Sequence, residues 1–497
     1  MSHNQAFGGG GGINKMPRIV VIGAGITGLS AAYRLTGLAA EQGLPLDVIV
    51  LEGRDRPGGV ISTRHSGGFL AEEGPDSFLK SKPEALSLSI KAGLEPDMIG
   101  TGGEAGRVFV ARGGKLIPLP DGLFPAPTSM AALFNSPLLS MRGKLRMTLE
   151  PFLPRGDSRG DESAASFIRR RFGAEAYERI AEPLLAGIYA GDPETLSVRA
   201  ALPALVKMEE DYGSVARGMR RNGAAPGGSK NGSGGGGRFA TFGRGMGTLI
   251  NALASGLPGN SLRLKSRVKR IEPAGRGFRI HLNGGDPLEC DAVIAALPAP
   301  QASLVAAGID LELSESLSRI RYVSTAVINL GYRRSEITHT LDGSGFVVPS
   351  SERLPVLACT FSSVKFAGRS PDDAVLLRVI SGGAQNPDIC REDDSRLINY
   401  AHGALSPILG IKSEPLYSLV SRNPESMPHY AVGHGALVAR IMETASAYPG
   451  LRLAGNAYGG AGIPDCVRSG EEAAQEIFSY IAKRGARDEG NKSRRRA

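Results

Sequence analysis

The stretch PRIVVIGAGITGLSAAYRL, beginning at Pro17, constrains this chain more than any other. A β-branched run leads into Gly23, Gly25 and Gly28, and a helical pattern follows with Leu29, Ala32 and Leu35 on one side. Gly23 meets the unusual backbone angles of a tight turn, Gly25 lets the chain approach a pyrophosphate, and Gly28 lets helix and strand pack closely. Phosphates then face the helix N-terminus. A second apolar strand, PLDVIVLEG, ends at Glu52, whose carboxylate is placed to accept hydrogen bonds from a ribose diol. Strand, glycines, helix and acid together predict a Rossmann-like α/β unit that binds a dinucleotide.

The next residues, GRDRPGGVIST, bring Arg56, Gly58 and Gly59 directly after the acid, where a second backbone loop can close over the pyrophosphate. That extension favours FAD, which is buried more fully than a nicotinamide nucleotide. TFGRGMGTL from Thr241 is a weaker glycine match that follows no clear strand, so a second nucleotide unit and a nicotinamide co-substrate are not expected. Near the C-terminus, GNAYGGAGIPDCVRSGEEAA from Gly455 repeats strand, glycine turn and helix. Pro464 suits the first turn of that helix, and Val467, Gly470, Ala474, Ile477 and Ile481 are spaced along its inner face. The partial positive charge of a helix N-terminus favours a reduced flavin, which carries negative charge on its ring. The first motif is expected to grip the nucleotide end of the cofactor and the second its reacting end.

At 497 residues the chain exceeds one ordinary core, which predicts two or three domains. Its 68 glycines concentrate in a leader, 1–15, and a run from Pro226, read as a disordered loop over 216–235. The net charge of +9 does not argue for nucleic acid, because the last segment from Lys483 holds seven basic and two acidic residues. The tail 486–497 reads as solvated and disordered, with weak attraction to an anionic membrane surface as its sharper role. No run of 18 apolar residues predicts a spanning helix, and the leader has no secretory apolar segment. Cys290, Cys359, Cys390 and Cys466 are dispersed, which points to a reducing cytoplasm and no metal site. His434 reads as a buried structural histidine, with a part as acid or base, suggested by its position alone, as the alternative, and no Ser/His/Asp constellation is found.

Fingerprint, ExxxxxGG and C-terminal GxPDCxxSGxxAA together resemble the flavin-dependent amine oxidase superfamily. Within it, EEGPDSFL from Glu72, GKLIPLP from Gly114, LLAGIYAGDPETLS from Leu184, ACTFSSVKF from Ala358 and MPHYAVGH from Met427 are similar to the oxygen-dependent protoporphyrinogen and coproporphyrinogen oxidases. The likeness runs from Pro17 to about Ala482, and EEGPDSFL and ACTFSSVKF are nearest the soluble Gram-positive type, which acts mainly on coproporphyrinogen III.

The resemblance implies noncovalent FAD touching Gly23, Gly25, Ile26, Thr27, Gly28, Glu52, Gly53, Gly58 and Gly59, with Val268 at the adenine. Gly74, Pro75, Asp76 and Ser77 would run beside the isoalloxazine, and Ile463, Pro464 and Asp465 would close over its pyrimidine end. For substrate, it implies a propionate partner at Arg107, a carbonyl facing pyrrole N–H groups at Gly187, and a stacking face from Phe361 or Phe366. Asn423 stands where relatives carry tryptophan, and Asp76 is the one side chain whose part in guiding a proton is open. The implied reaction moves hydride from methylene bridges to flavin, three times per tetrapyrrole, with O2 reduced to H2O2 and no metal. A protoporphyrinogen IX oxidase, an amine oxidase or carotenoid desaturase, and a tetrapyrrole-binding flavoprotein without turnover are the alternatives. Transient contact with ferrochelatase is a further implied partnership. The expected fold is α/β (α+β): an FAD domain from 16–80, 236–310 and 446–485, a mainly helical insert and access channel over 81–215, and a β-rich substrate domain over 311–445.

Overall fold

The apolar run Arg18–Ile22 is the middle strand of a five-stranded parallel sheet in the order Leu262–Arg263, Asp47–Leu51, Arg18–Ile22, Ala292–Ala295, Leu451–Leu453. Ile19 pairs with Val48 on one side and Ala292 on the other. Burial on both faces explains why these strands read as continuous apolar runs rather than alternating ones. The order reverses at Arg18–Ile22, and at such a switch point a crevice opens beyond the carboxyl ends of the strands. The helices Ile26–Gln42 and Ile463–Arg496 pack on each other over this sheet, burying Leu29, Ala32, Leu35, Val467, Ala474 and Ile477.

The computed structural model describes residues 16–102, 106–120, 129–156, 160–221 and 237–496, with side chains described to residue 486. The leader 1–15 and all but the first residues of the glycine-rich loop 216–235 lie outside the described residues. Those first residues belong to the helix Val215–Arg221.

A seven-stranded sheet lies beyond the crevice, in the order Tyr417–Pro428, Tyr322–Arg333, Ala374–Gly382, Ala358–Phe361, Gly345–Val347, Val108–Arg112, Lys115–Pro118. Its pairings are antiparallel except that of Gly345–Val347 with Val108–Arg112. One face, with Ile328, Leu330, Phe346, Cys359, Leu377 and Val379, packs with Leu397, Ala401 and Leu405 of the helix Asp394–Leu409. Alternation places Asn329, Val347, Ala358 and Arg378 on the other face.

The mainly helical stretch 81–215 also holds a hairpin, VFVAR and KLIP, which completes the seven-stranded sheet and is joined through Gly113 and Gly114 at φ 56° and 71°. One expectation is corrected. The basic tail is not read out as coil, because the backbone of the C-terminal helix runs on to Arg496 with no proline to end it. In the helical layer, Arg171 is fully buried and its guanidinium bonds Glu150, which also accepts from the Ser214 hydroxyl and the Val215 and Ala216 N–H groups. Among the described residues, no helix is long and apolar enough to cross a membrane.

Candidate active site

The fingerprint builds a cradle in which the fold itself requires glycine at Gly23 and Gly28. A Cβ on Gly28 would sit 1.9 Å from the Gly23 carbonyl oxygen, whereas one on Gly25 would meet nothing within 4 Å. Gly25 therefore borders open space, and it caps Ile26–Gln42 with no side chain, leaving first-turn N–H groups such as those of Ile26 and Thr27 for an anion. The Gly58 N–H donates to the Ala24 carbonyl at 2.7 Å, and a Cβ on Gly59 would lie 3.4 Å from Gly25 Cα. The second loop thus closes against the first. Glu52, 9% exposed, accepts from the Ala24 N–H at 2.8 Å and the Arg54 N–H at 2.9 Å. Ser266 N–H donates to the Glu52 carbonyl at 2.7 Å, and Arg267 flanks Gly53. Val268 is half-buried directly beyond them.

At the other end of the crevice, the C-terminal strand turns through Gly455 and Gly460, both at φ 130°, into the helix that starts at Ile463 with Pro464 and Asp465 in its first turn. The Asp465 carboxylate binds Lys82 Nζ at 2.6 and 2.8 Å, so the side chain is held by the segment following EEGPDSFL. Burial pushes the neighbouring Cys466 thiol up to about 12, which makes it a poor nucleophile. An open glycine cradle, uncapped N–H donors and a buried acid at the ribose position fit the diphosphate and ribose of FAD.

Between these two grips runs the arm Gly74–Ser77. A Cβ on Gly74 would lie 1.9 Å from the Val60 carbonyl oxygen, so the arm is pressed on the loop that follows Gly58 and Gly59. Lys365 Nζ bonds both Asp76 oxygens at 3.0 Å, and the Ser77 hydroxyl donates to one of them at 2.7 Å. Burial alone would raise the Asp76 carboxyl, but Lys365 and Arg378 outweigh it and hold it far below the usual range. A carboxylate so held does not collect a proton near neutral pH, so Asp76 is an ionised anchor here. Glu72, only 3% exposed, behaves oppositely: burial lifts its carboxyl to about 7 against the Thr63 hydroxyl and Met246 N–H bonds and the Arg369 charge.

That Met246 N–H begins the helix Gly247–Ser255, so the weak glycine match from Thr241 has the Glu72 carboxylate where a phosphate would sit. Three residues that reach the arm have no part in the sequence reading: Lys365, Arg378 and Asn329. Arg378 in VLLRVIS and Asn329 in AVINLGY interrupt apolar strands, and a buried polar group of that kind demands a partner.

The substrate candidates divide. Gly187 lies in the helix Glu182–Tyr189, where a Cβ would be 3.3 Å from Val347 Cγ1 and 3.7 Å from Ala358 Cβ, on the sheet face that also carries Arg378. Arg107 is exposed and ion-paired with Asp342 at 2.5 Å. Phe361 and Phe366 are corrected: Phe361 is fully buried beside Phe346 and His339, and Phe366 is 1% exposed with Lys365 and Arg369 over its ring. Neither offers a free stacking face. His434 is buried, stacks on Tyr430 at 4.5 Å and bonds the Ala457 carbonyl through Nε2 at 3.0 Å, in keeping with a structural histidine. A cavity of about 410 Å³ in the helical layer is lined by Glu162, Arg170, Arg199, Glu209 and Glu210, charges already paired with one another. Among the described residues, no cluster of three or more His, Cys, Asp or Glu is arranged to hold a metal.

The chain is 32% identical over 465 residues to the coproporphyrinogen III oxidase of Bacillus subtilis (strain 168), covering 93% of this chain and 98% of that protein. It is 31% identical to protoporphyrinogen oxidase 1 of the Arabidopsis thaliana chloroplast, covering 96% and 90%. Among solved structures, a protein of Exiguobacterium sp. 255-15, provisionally named a protoporphyrinogen oxidase, superposes with a TM-score of 0.80 at 30% identity, covering 93% of this chain and 98% of that one. The pattern of flavin containing amine oxidoreductases matches residues 26–478, a span that takes in the first helix, the loop at Gly58 and Gly59, the arm and the N-terminus of the C-terminal helix alike. With cradle, acid, arm and C-terminal helix assembled around one crevice, the chain belongs to the flavin containing amine oxidoreductase family.

Proposed function

We propose that the chain oxidises coproporphyrinogen III to coproporphyrin III, with O2 as acceptor and H2O2 as the reduced product, using noncovalently held FAD. The observation that carries this reading is a convergence. The GIYAGDPETLS segment, through Gly187, and the EEGPDSFL arm, through Arg378, meet the same face of the seven-stranded sheet. These are the segments by which the chain resembles porphyrinogen oxidases rather than other flavin enzymes of similar fold.

FAD, when bound, supplies the two-electron acceptor for each of the three oxidations and passes the electrons to O2. The protein's own work is holding and excluding. Gly25 leaves room for the pyrophosphate, Gly58 and Gly59 let the second loop close against the first, Glu52 orders the loop that carries Ala24, and the N-terminus of the C-terminal helix favours negative charge on the far side. Asp76 stays ionised and fixed by Lys365, so the arm presents a set geometry rather than a mobile base. Pyrrole-stabilised cations lose their N–H protons readily, so the site needs no strong general base. At the rim, Arg107 would exchange Asp342 for a substrate propionate, a bidentate match of fork to carboxylate. Gly187 would bring its backbone within reach of the pyrrole N–H groups. A cytoplasmic setting, passing contact with ferrochelatase and a weak hold on anionic membrane by the basic C-terminal residues complete the proposal.

The test is anaerobic mixing of the yellow protein with coproporphyrinogen III. Bleaching of the flavin band followed by its return on admitting air supports the reading. A flavin that stays oxidised with bound substrate would instead identify a carrier. Protoporphyrinogen IX, prompted by the likeness to the chloroplast enzyme, is the second substrate to be mixed in the same way.

A further inference from the structure

Four side chains of the sheet and its adjoining loop reach the arm at nearly successive residues. Asn329 Nδ2 donates to the Glu72 carbonyl at 3.0 Å, Asn423 Nδ2 to the Glu73 carbonyl at 3.1 Å, and Arg378 Nη2 to the Gly74 carbonyl at 2.5 Å. Lys365 then takes the Asp76 carboxylate. Asn329 and Arg378 are direct cross-strand partners, so their side chains rise from neighbouring points of one face.

A guanidinium in the middle of a central strand, 7% exposed, is a costly way to bind one carbonyl. A neutral amide would serve for that alone. Among the described residues, Arg378 Nε has no hydrogen-bond partner, and neither has Asn329 Oδ1, which leaves a buried donor and a buried acceptor unused beside the arm. The charges around them are unbalanced in one direction: Lys365, Arg369 and Arg378 face Asp76 and Glu72, and Glu72 is held largely protonated below neutrality by its burial. The arm itself lies between the two cofactor grips, pressed on Val60 at one end and tied through Lys82 to Asp465 at the other.

We propose that Arg378 is a positioning residue for the flavin reaction, fixing the Gly74 peptide while its buried charge makes the bound flavin easier to reduce. This rests on the reading that FAD occupies the crevice. A reduced flavin carries negative charge, and a fixed cation in a dry site stabilises it without reorganisation. The charge, not the hydrogen bond to Gly74, is what distinguishes arginine from a neutral donor at this position.

The experiment is a reductive titration of the flavin-loaded protein against a reference dye, for wild type and Arg378→Met, with Arg378→Lys as the charge-keeping variant. In R378M the reduced-to-oxidised flavin ratio at a fixed dye poise should fall about tenfold, about 30 mV for a two-electron couple. R378K should stay within about threefold of wild type, since its ammonium keeps the charge. An R378M protein that binds FAD with an unchanged ratio would overturn the proposal. Should R378M fail to hold FAD, Asn329→Asp answers the same question: a carboxylate opposite Arg378 should lower the ratio about tenfold, and an unchanged ratio would again overturn the proposal. Wild-type protein that binds no flavin would defeat the FAD reading itself, an outcome separate from any of these shifts.

Discussion

A Cβ added to Gly470 would stand 2.3 Å from the Thr27 carbonyl oxygen. Thr27 belongs to the first glycine motif and Gly470 to the last, so the helix that opens the fold and the helix that closes it touch backbone to backbone beside the cofactor crevice. A glycine-rich stretch near the C-terminus is needed because the chain returns, after the sheet and helical layers, to complete the site begun at its first strand.

That contact leaves no room for a methyl group. Gly470→Ala should cost about 1–3 kcal/mol through overpacking and reduce the FAD retained on purification. Gly37→Ala, in the same first helix with only the end of Glu41 at 3.8 Å, should be neutral or slightly stabilising. Melting temperature and flavin-to-protein absorbance ratio read both variants.

Glu52 binds its own loop as well as facing the ribose position. Glu52→Ala strips the Ala24 N–H of its acceptor, a cost of about 1–3 kcal/mol, and FAD affinity should fall with it. Glu52→Gln keeps one acceptor oxygen and should fall between. Fluorescence titration of apoprotein with FAD orders the three proteins.

The Rossmann-like unit was legible because its requirements are local: glycine where φ is positive at Gly23 and Gly58, an apolar run for a two-faced strand, an acid at its end. The C-terminal motif was legible for the same reason. The hairpin at Val108–Pro118 was not, since a helical setting on both sides obscured two short strands whose partner, Gly345–Val347, lies far along the chain. Arg378, Asn329 and Lys365 escaped because each makes sense only through the arm, between 250 and 310 residues away in sequence. Phe361 and Phe366 read as ring faces for want of the sheet's register, which turns Phe361 into the opposite core.

Glu72 sets a pH dependence of stability. Its folded value, about 7, lies above its ordinary 4.5, so the folded protein binds this proton more tightly than the unfolded chain does. Stability from this group is therefore full below about pH 4.5 and is lost as pH rises through about 7, by about 3 kcal/mol at most. Glu72→Gln should flatten that slope. Melting temperatures of both proteins at pH 5 and pH 8 give the comparison; an equal pH difference in the two would refute it.

The buried Arg171–Glu150 pair lies in the helical layer, apart from the crevice. Glu150→Ala leaves the fully buried Arg171 guanidinium with Glu209, at 3.3 Å, as its remaining carboxylate partner and removes the acceptor for the Ser214 hydroxyl and two N–H groups, which should cost about 3 kcal/mol. The denaturant midpoint should fall accordingly, while the flavin spectrum of the folded fraction stays that of wild type.

The most direct measurement is aerobic turnover of purified, FAD-loaded protein with coproporphyrinogen III and, separately, protoporphyrinogen IX, following porphyrin fluorescence and H2O2 together. Coproporphyrin should form well above the autoxidation control and faster than protoporphyrin, with three H2O2 released per porphyrin as three two-electron steps require. FAD-loaded protein that turns over neither substrate above that control would contradict the assignment.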